Sequence, residues 1–183
     1  MAEHPNIIGV VHTELNPYVD NRGSFTKVID SVKLKTTYNL EFKAQQTMIS
    51  RNLKKGTIRG MHYQAFPIME TKIVSCTEGR ILDVIVDLRP SSPTYMKIDR
   101  ILLDAKDPSI LIIPAQCAHG FQTIEDNSNL IYSSNVDYKQ ELDVGINPMS
   151  VELKDIWQLE PTEISARDLK LPTLNEFSWL KYY

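Results

Sequence analysis

"GRILDVIVDLR", residues 79–89, is written in the period of a β-strand. Leu82, Val84 and Val86 alternate with Asp83, Ile85 and Asp87, and residues two apart on a strand share a face. One face is therefore wholly aliphatic, and the other carries two carboxylates.

Working outward, "TKIVSC" (71–76), "KIDRILLD" (97–104), "SILIIPA" (109–115) and "NLIYSSNVDY" (129–138) are short runs rich in Ile, Val and Leu. Turn signals such as "TEGR", "RPSSPTY" and "DAKDPS" separate several of them. "GVVHTEL" (9–15) and "FTKVID" (25–30) read as two further strands. Strands at this spacing, with no long helical period between them, predict an all-β antiparallel sandwich or barrel. Helices are expected only at "SVKLKTTYN" (31–39) and around "SWLKYY" (178–183). No repeat, low-complexity tract or linker divides the chain, so residues 1–183 are expected to form one domain. Gly23, Gly56, Gly60, Gly79, Gly120 and Gly145 are expected at strand ends, marking turns or close approaches.

Composition narrows the function classes. At 42% hydrophobic residues over 183 positions, the chain can bury a substantial core. Twenty Lys and Arg against 23 Asp and Glu give a net charge of −3 without long like-charged runs, so no nucleic-acid or membrane footprint is visible. Cys76 and Cys117 lie far apart in apolar surroundings and read as buried free thiols. With no signal peptide or membrane span legible, the expected location is the cytoplasm.

Chemistry concentrates in "GTIRGMHYQAFPIMETK" (56–72). A strand here sets Arg59 and Gln64 near His62, with Lys72 brought in across an expected hairpin; His119 follows the apolar run of "IPAQCAHGFQ" (113–122). A histidine can remove a proton next to a ketone, a lysine can stabilise the resulting enolate and a tyrosine can return a proton. Arg59 and Arg22 suit a phosphate or diphosphate, because guanidinium offers paired donors. Glu70 reads as a salt-bridge partner of Lys72 or a surface charge, outside the catalytic set.

Metal-binding cupin barrels carry a His-x-His pair in their first motif. Here Gln64 stands where the second histidine belongs, and in the second motif Pro114 and His119 keep their spacing while Gln116 occupies the glycine position. The pattern resembles a cupin whose metal site has been dismantled, so no metal is expected.

In order and spacing, "RGMHYQ", Lys72, "DVIVDLRPSSPTY", "IPAQCAHGFQT", "IYSSNVDY" and "ISARDLKLP" resemble the dTDP-4-dehydrorhamnose 3,5-epimerase family and its 3-epimerase relatives, over residues 5 to 175. The resemblance implies a cupin-like jelly-roll barrel, a homodimer, no cofactor, and a dTDP-4-keto-6-deoxyhexose substrate inverted at C3, C5 or both. It implies His62 as general base, Asp168 as the carboxylate orienting it, Lys72 as enolate stabiliser and Tyr132 as acid. Asp83 and His119 would line the pocket, and Arg59 would bind diphosphate. Arg22 and Phe25 would reach the nucleotide from a second subunit, Tyr138 would stack on the base, and Gln46 and Asn52 would contribute to substrate binding. Two departures stand out: Lys27 where the family often has Glu, and "GINPMSVEL" where it usually has Trp-Asn-Asp-Pro, closer to relatives inverting C3 alone. The number of inverted centres stays open. A non-catalytic nucleotide-sugar-binding cupin, a metal-dependent cupin enzyme and a cupin-type sugar ketoisomerase are the alternative readings.

Overall fold

The computed structural model describes residues 5–177; the helix expected around 178–183 lies outside them. The strands run β1 (Val11–Glu14), β2 (Tyr18–Asp20), β3 (Gly23–Phe25), β4 (Gln46–Asn52), β5 (Thr57–Gln64), β6 (Lys72–Glu78), β7 (Arg80–Asp87), β8 (Ile98–Asp104), β9 (Ser109–Ile113), β10 (Cys117–Thr123), β11 (Ser128–Ser134), β12 (Asp143–Gly145) and β13 (Glu163–Ile164). Among the described residues one α-helix, α1 (Ser31–Tyr38), lies between β3 and β4, and single 3-10 turns occur at Gln140–Leu142 and Asp168–Lys170.

Two sheets dominate: β1-β9-β6-β11-β4 and β12-β5-β10-β7-β8, the second extended by β13 against β5. They pack face to face as a cupin-like jelly roll. Val74, Cys76, Leu111, Ile113 and Leu130 of the first meet Ile81, Ile85, Ile101, Leu103, Cys117 and Phe121 of the second in one buried cluster. The alternation in residues 79–89 holds in full. Ile81 and Ile85 join this inner cluster, while Leu82, Val84 and Val86 enter a separate core on the outer face of their sheet. There they pack against Ile146, Leu153, Trp157 and Leu174, contributed by the chain after β12. Both faces of β7 are therefore buried, and its two buried carboxylates are paired, Asp83 with His119 and Asp87 with Arg89. Cys76 and Cys117 are buried and unpaired, and burial raises their thiols to about 11 and about 12.

The outer face of the other sheet is closed by Leu34 of α1 and Phe42 against Ile73, Ile110 and Ile112. α1 buries only Leu34, worth roughly 1.5–3 kcal/mol. It starts where Asp30 accepts hydrogen bonds from the Val32 and Lys33 N–H groups, a cap worth about 1 kcal/mol. That cap corrects the strand expected at 25–30: only Gly23–Phe25 is strand, and Asp30 serves the helix. Strand "NLIYSSNVDY" likewise ends at Ser134, whose hydroxyl accepts the Val136 N–H and turns the chain.

No hairpin joins β5 to β6. The two strands lie in different sheets, so the loop between them crosses the barrel and sets Lys72 on the wall facing His62. Gly60 and Gly120 also depart from expectation, sitting inside β5 and β10. A Cβ on Gly60, where φ is +107°, would come within 2.6 Å of Gly120 Cα and of His119 O. Among the described residues no helix is long and apolar enough to cross a membrane.

Gly60→Ala should therefore combine backbone strain with a clash against backbone that has no side chain to move. A destabilisation of roughly 2–4 kcal/mol is expected, seen by calorimetry as a melting temperature lower by roughly 5–15 °C.

Candidate active site

The inner face of the barrel is apolar at one end and ionisable at the other. At the polar end a cavity of about 530 Å³ is lined by Arg59, His62, Lys72, His119, Tyr132, Arg167 and Asp168, among others. This lies within the usual range for a small-molecule site.

β5 and β10 set two histidines side by side, His62 opposite His119 across the antiparallel ladder. The ladder shifts register between His119 and Phe121. This irregularity lets Arg59 and His62, three positions apart, both line the cavity, where strict alternation would separate them. Each histidine is held by a carboxylate. His62 Nε2 lies 2.8 Å from Asp168 Oδ1, and His119 Nε2 lies 2.8 Å from Asp83 Oδ2.

Asp168 reaches His62 from 106 residues away because β13 runs parallel to β5, Glu163 beside Thr57 and Ile164 beside Ile58. The chain then turns, with the Asp168 N–H donating to Ser165 Oγ at 3.0 Å, and Asp168 Oδ2 accepts the Gly60 N–H at 3.3 Å. Burial pushes the Asp168 carboxyl up, but the hydrogen bond and charge of His62, the Gly60 N–H and Ser165 outweigh it and hold the group below its ordinary range. Asp83 goes the other way. It is fully buried, Oδ1 has no hydrogen-bond partner, and burial raises its carboxyl against the pull of His119 and Lys72.

An ionised Asp168 accepts the proton on His62 Nε2, leaving the Nδ1 lone pair as the basic site. The His62 side chain is 28% exposed, so a ligand in the cavity can reach it. Lys72 and Tyr132 stand on the opposite sheet: Lys72 pairs with Ser134 and Tyr132 with Val74, which sets both side chains on the inner face. Burial raises the Tyr132 phenol, with Arg59 opposing and Glu70 and Asp143 reinforcing, so it carries its proton at neutral pH. Lys72 Nζ donates to the His62 carbonyl at 3.3 Å and meets Glu70 Oε2 at 3.2 Å.

The remaining expected residues sit around this centre. Asn52 Oδ1 accepts from Arg59 Nε at 2.8 Å, so Asn52 acts on the cavity through the arginine. Gln46 Oε1 accepts the Tyr138 N–H and Gln64 Oε1 the Lys139 N–H, which anchors that turn to β4 and β5. Tyr138 itself is half exposed, with its hydroxyl on Asp143. Arg22 and Phe25 are not brought to the cavity of this chain; both are exposed on the β2–β3 hairpin, Arg22 paired with Asp20.

Arg167 was missed. It lines the cavity and is steered by Asp143, whose Oδ2 accepts from its Nη2 at 2.6 Å as well as from Tyr138. Its adjacency to Asp168 in "SARD" was the available signal. Among the described residues, no three His, Cys, Asp or Glu side chains are grouped to hold a metal ion.

An acid held below its ordinary value near 3.8 stabilises the fold above that value, and the contribution vanishes as pH falls through its depressed titration. Asp168→Asn should thus be less stable than the wild type by about 1–2 kcal/mol at pH 7, with the gap closing as urea unfolding is repeated down to the acid range. A gap constant across that range would contradict an ionised Asp168.

Comparison with known proteins gives one consistent result. A family described as dTDP-4-dehydrorhamnose 3,5-epimerase matches residues 4–176. The Escherichia coli K12 protein named dTDP-4-dehydrorhamnose 3,5-epimerase is 32% identical over 183 residues, covering 95% of this chain and 98% of its own. The Bacillus anthracis enzyme of that name, solved with TDP and PPi bound, superposes with a TM-score of 0.89 at 31% identity, covering 95% of this chain and 99% of its own. A 3'-monoepimerase from Streptomyces bikiniensis, solved with dTDP-quinovose, gives 0.87 at 27% identity, with 95% and 88% covered.

Proposed function

The chain belongs to the dTDP-4-dehydrorhamnose 3,5-epimerase family, and from that premise we propose that it inverts C3, C5 or both of a dTDP-4-keto-6-deoxyhexose by proton removal and return on opposite faces of the ring. It is a nucleotide-sugar epimerase; what is proposed is the substrate and the work of each residue.

The observation that carries the reading is the stance of base and acid. His62 lies on β5 and Tyr132 on β11, in the two sheets that face each other across one cavity. Inversion needs a proton taken from one face of a carbon and delivered to the other, and two opposed walls supply this without moving the sugar. Lysine or arginine alone on such walls would bind a ligand but exchange nothing.

His62 Nδ1 takes the proton from the carbon next to the 4-keto group, and Asp168 stabilises the imidazolium. The C–H electron pair forms the C=C bond of an enolate, whose charge rests on the C4 oxygen beside Lys72 Nζ. Tyr132 then gives its phenolic proton to the far face. Solvent restores the proton of Tyr132 and accepts that of His62, so the net change is isomerisation alone. The ketone supplies the acidity, and the residues present suffice for each proton. Arg59 and Arg167 are assigned to the diphosphate as cations lining the cavity. His119, held from behind by the buried Asp83, is assigned to a polar floor under the sugar. Tyr138 is assigned to the nucleotide base.

Arg22 and Phe25 are assigned to the nucleotide bound by a second copy of the chain in a homodimer. The exposure of Tyr18, Val19 and Phe25 together on one hairpin, 71%, 76% and 68%, supports a surface that another subunit covers. Sedimentation velocity should give the mass of two chains.

Proton NMR of the protein with dTDP-4-keto-6-deoxyglucose in deuterated water tests the chemistry. Loss of the C3 signal, or of C3 and C5, is expected. His62→Ala should lower kcat/KM roughly 10²–10⁴-fold and Lys72→Ala roughly 10²–10³-fold, both with the fold retained. Tyr132→Phe should still exchange the proton while losing inversion. Exchange at the wild-type rate in His62→Ala would remove the base assignment.

A further inference from the structure

We propose that Glu70 is a positioning residue of this epimerase, a fixed carboxylate that aims the Lys72 ammonium at the C4 oxygen; the proposal rests on the reading above and adds to it a residue outside the cavity wall.

Lysine is a flexible four-carbon stem ending in three equivalent donors, and by itself it does not point anywhere. Here one N–H donates to the His62 carbonyl at 3.3 Å, and Glu70 Oε2 lies 3.2 Å from the nitrogen as its ion-pair partner. The ammonium is thus held from two sides and turned to the cavity, which Lys72 lines and Glu70 does not. Glu70 therefore stands behind the ammonium. Both side chains are only 12% exposed, so water competes weakly for either partner.

Glu70 is also held, which separates it from an ordinary loop carboxylate. Asn135, just past the end of β11, ties down the residues on either side. Its Oδ1 accepts the Thr71 N–H at 2.7 Å, its own N–H donates to Thr71 O at 3.3 Å, and its Nδ2 donates to Met69 O at 3.4 Å. Lys72 itself opens β6, paired with Ser134 on one side and Ile113 on the other. Carboxylate and ammonium thus hang from two anchored points of one backbone. A negative charge directly behind the ammonium weakens its pull on the enolate, and its gain is direction. An ammonium displaced by about 1 Å can cost up to about 10²-fold in rate.

The test compares Glu70→Ala with Glu70→Gln, which keeps an acceptor oxygen in place without the charge. Glu70→Ala should lower kcat roughly tenfold or more while KM changes less than twofold, and Glu70→Gln should recover most of the loss. Wild-type kcat in Glu70→Ala, or equal impairment in both variants, overturns the proposal. A second readout needs no turnover. In ¹⁵N-lysine NMR at low temperature the Lys72 ammonium, assigned by its disappearance in Lys72→Arg, should be visible in the wild type and in Glu70→Gln. In Glu70→Ala it should be lost to solvent exchange, and its persistence there overturns the proposal. If the wild type turns over no dTDP-sugar while the ammonium behaves as stated, the functional reading fails and the positioning stands.

Discussion

Two backbones that approach more closely than side chains allow set the geometry of the whole site. Gly60 on β5 and Gly120 on β10 face each other with no room for a Cβ on either. Their contact draws the two strands together beside His62 and His119, and the register shift follows at the same point. The Gly60 N–H, turned to Asp168 Oδ2, helps lock the carboxylate that in turn orients His62. A side chain at either glycine would disturb strand pairing, carboxylate and base together. The constraint belongs to packing, and its consequence is a tautomer.

The two His–Asp pairs show how environment divides like groups into unlike roles. Both hydrogen bonds are 2.8 Å long. Asp168 has further donors and is held ionised, whereas Asp83 has His119 alone, an unpartnered Oδ1 and full burial. Where environments push two equivalent acids in opposite directions, the one kept charged can orient and charge a base, and the other resists carrying charge. His62 rather than His119 is thus the better-supported base, on grounds independent of position in the sequence.

What could be read from the chain follows from what strand periodicity encodes. Residues 79–89 state both faces of β7 outright, because each face is buried against a different core. Periodicity does not single out Arg59, His62, Lys72, Tyr132 and His119 as a group; the order and spacing of the motifs that carry the family resemblance did, because Arg59 and His62 share the cavity only through an irregularity of the ladder. Sheet partnership was not. A loop of seven residues reads as a hairpin by length, and only the packing of Lys72 between β9 and β11 makes it a crossing. "FTKVID" is strand-like in composition, but one carboxylate at its end gains more by capping a helix. Arg167 escaped because it is steered by Asp143, a partner distant in sequence, whereas the pairing of Glu70 with Lys72 was legible from their spacing.

The crossing loop is also what the proposed chemistry depends on in this fold. Had β5 and β6 formed a hairpin, His62 and Lys72 would share one wall, and the proposed base and enolate stabiliser would approach a sugar from the same side. By passing between sheets, the loop carries Lys72 to the wall that also holds Tyr132, and in the proposed mechanism the C4 oxygen and the face to be reprotonated are then served from one side and the departing proton from the other. The Lys72 hydrogen bond to the His62 carbonyl then spans the gap, tying the two walls at the point where they must keep their distance. A sandwich whose inner face is packed solid at one end gives that gap a rigid frame. The proposed mechanism therefore asks for little motion of the protein, because it sets the two faces of the substrate against two different sheets.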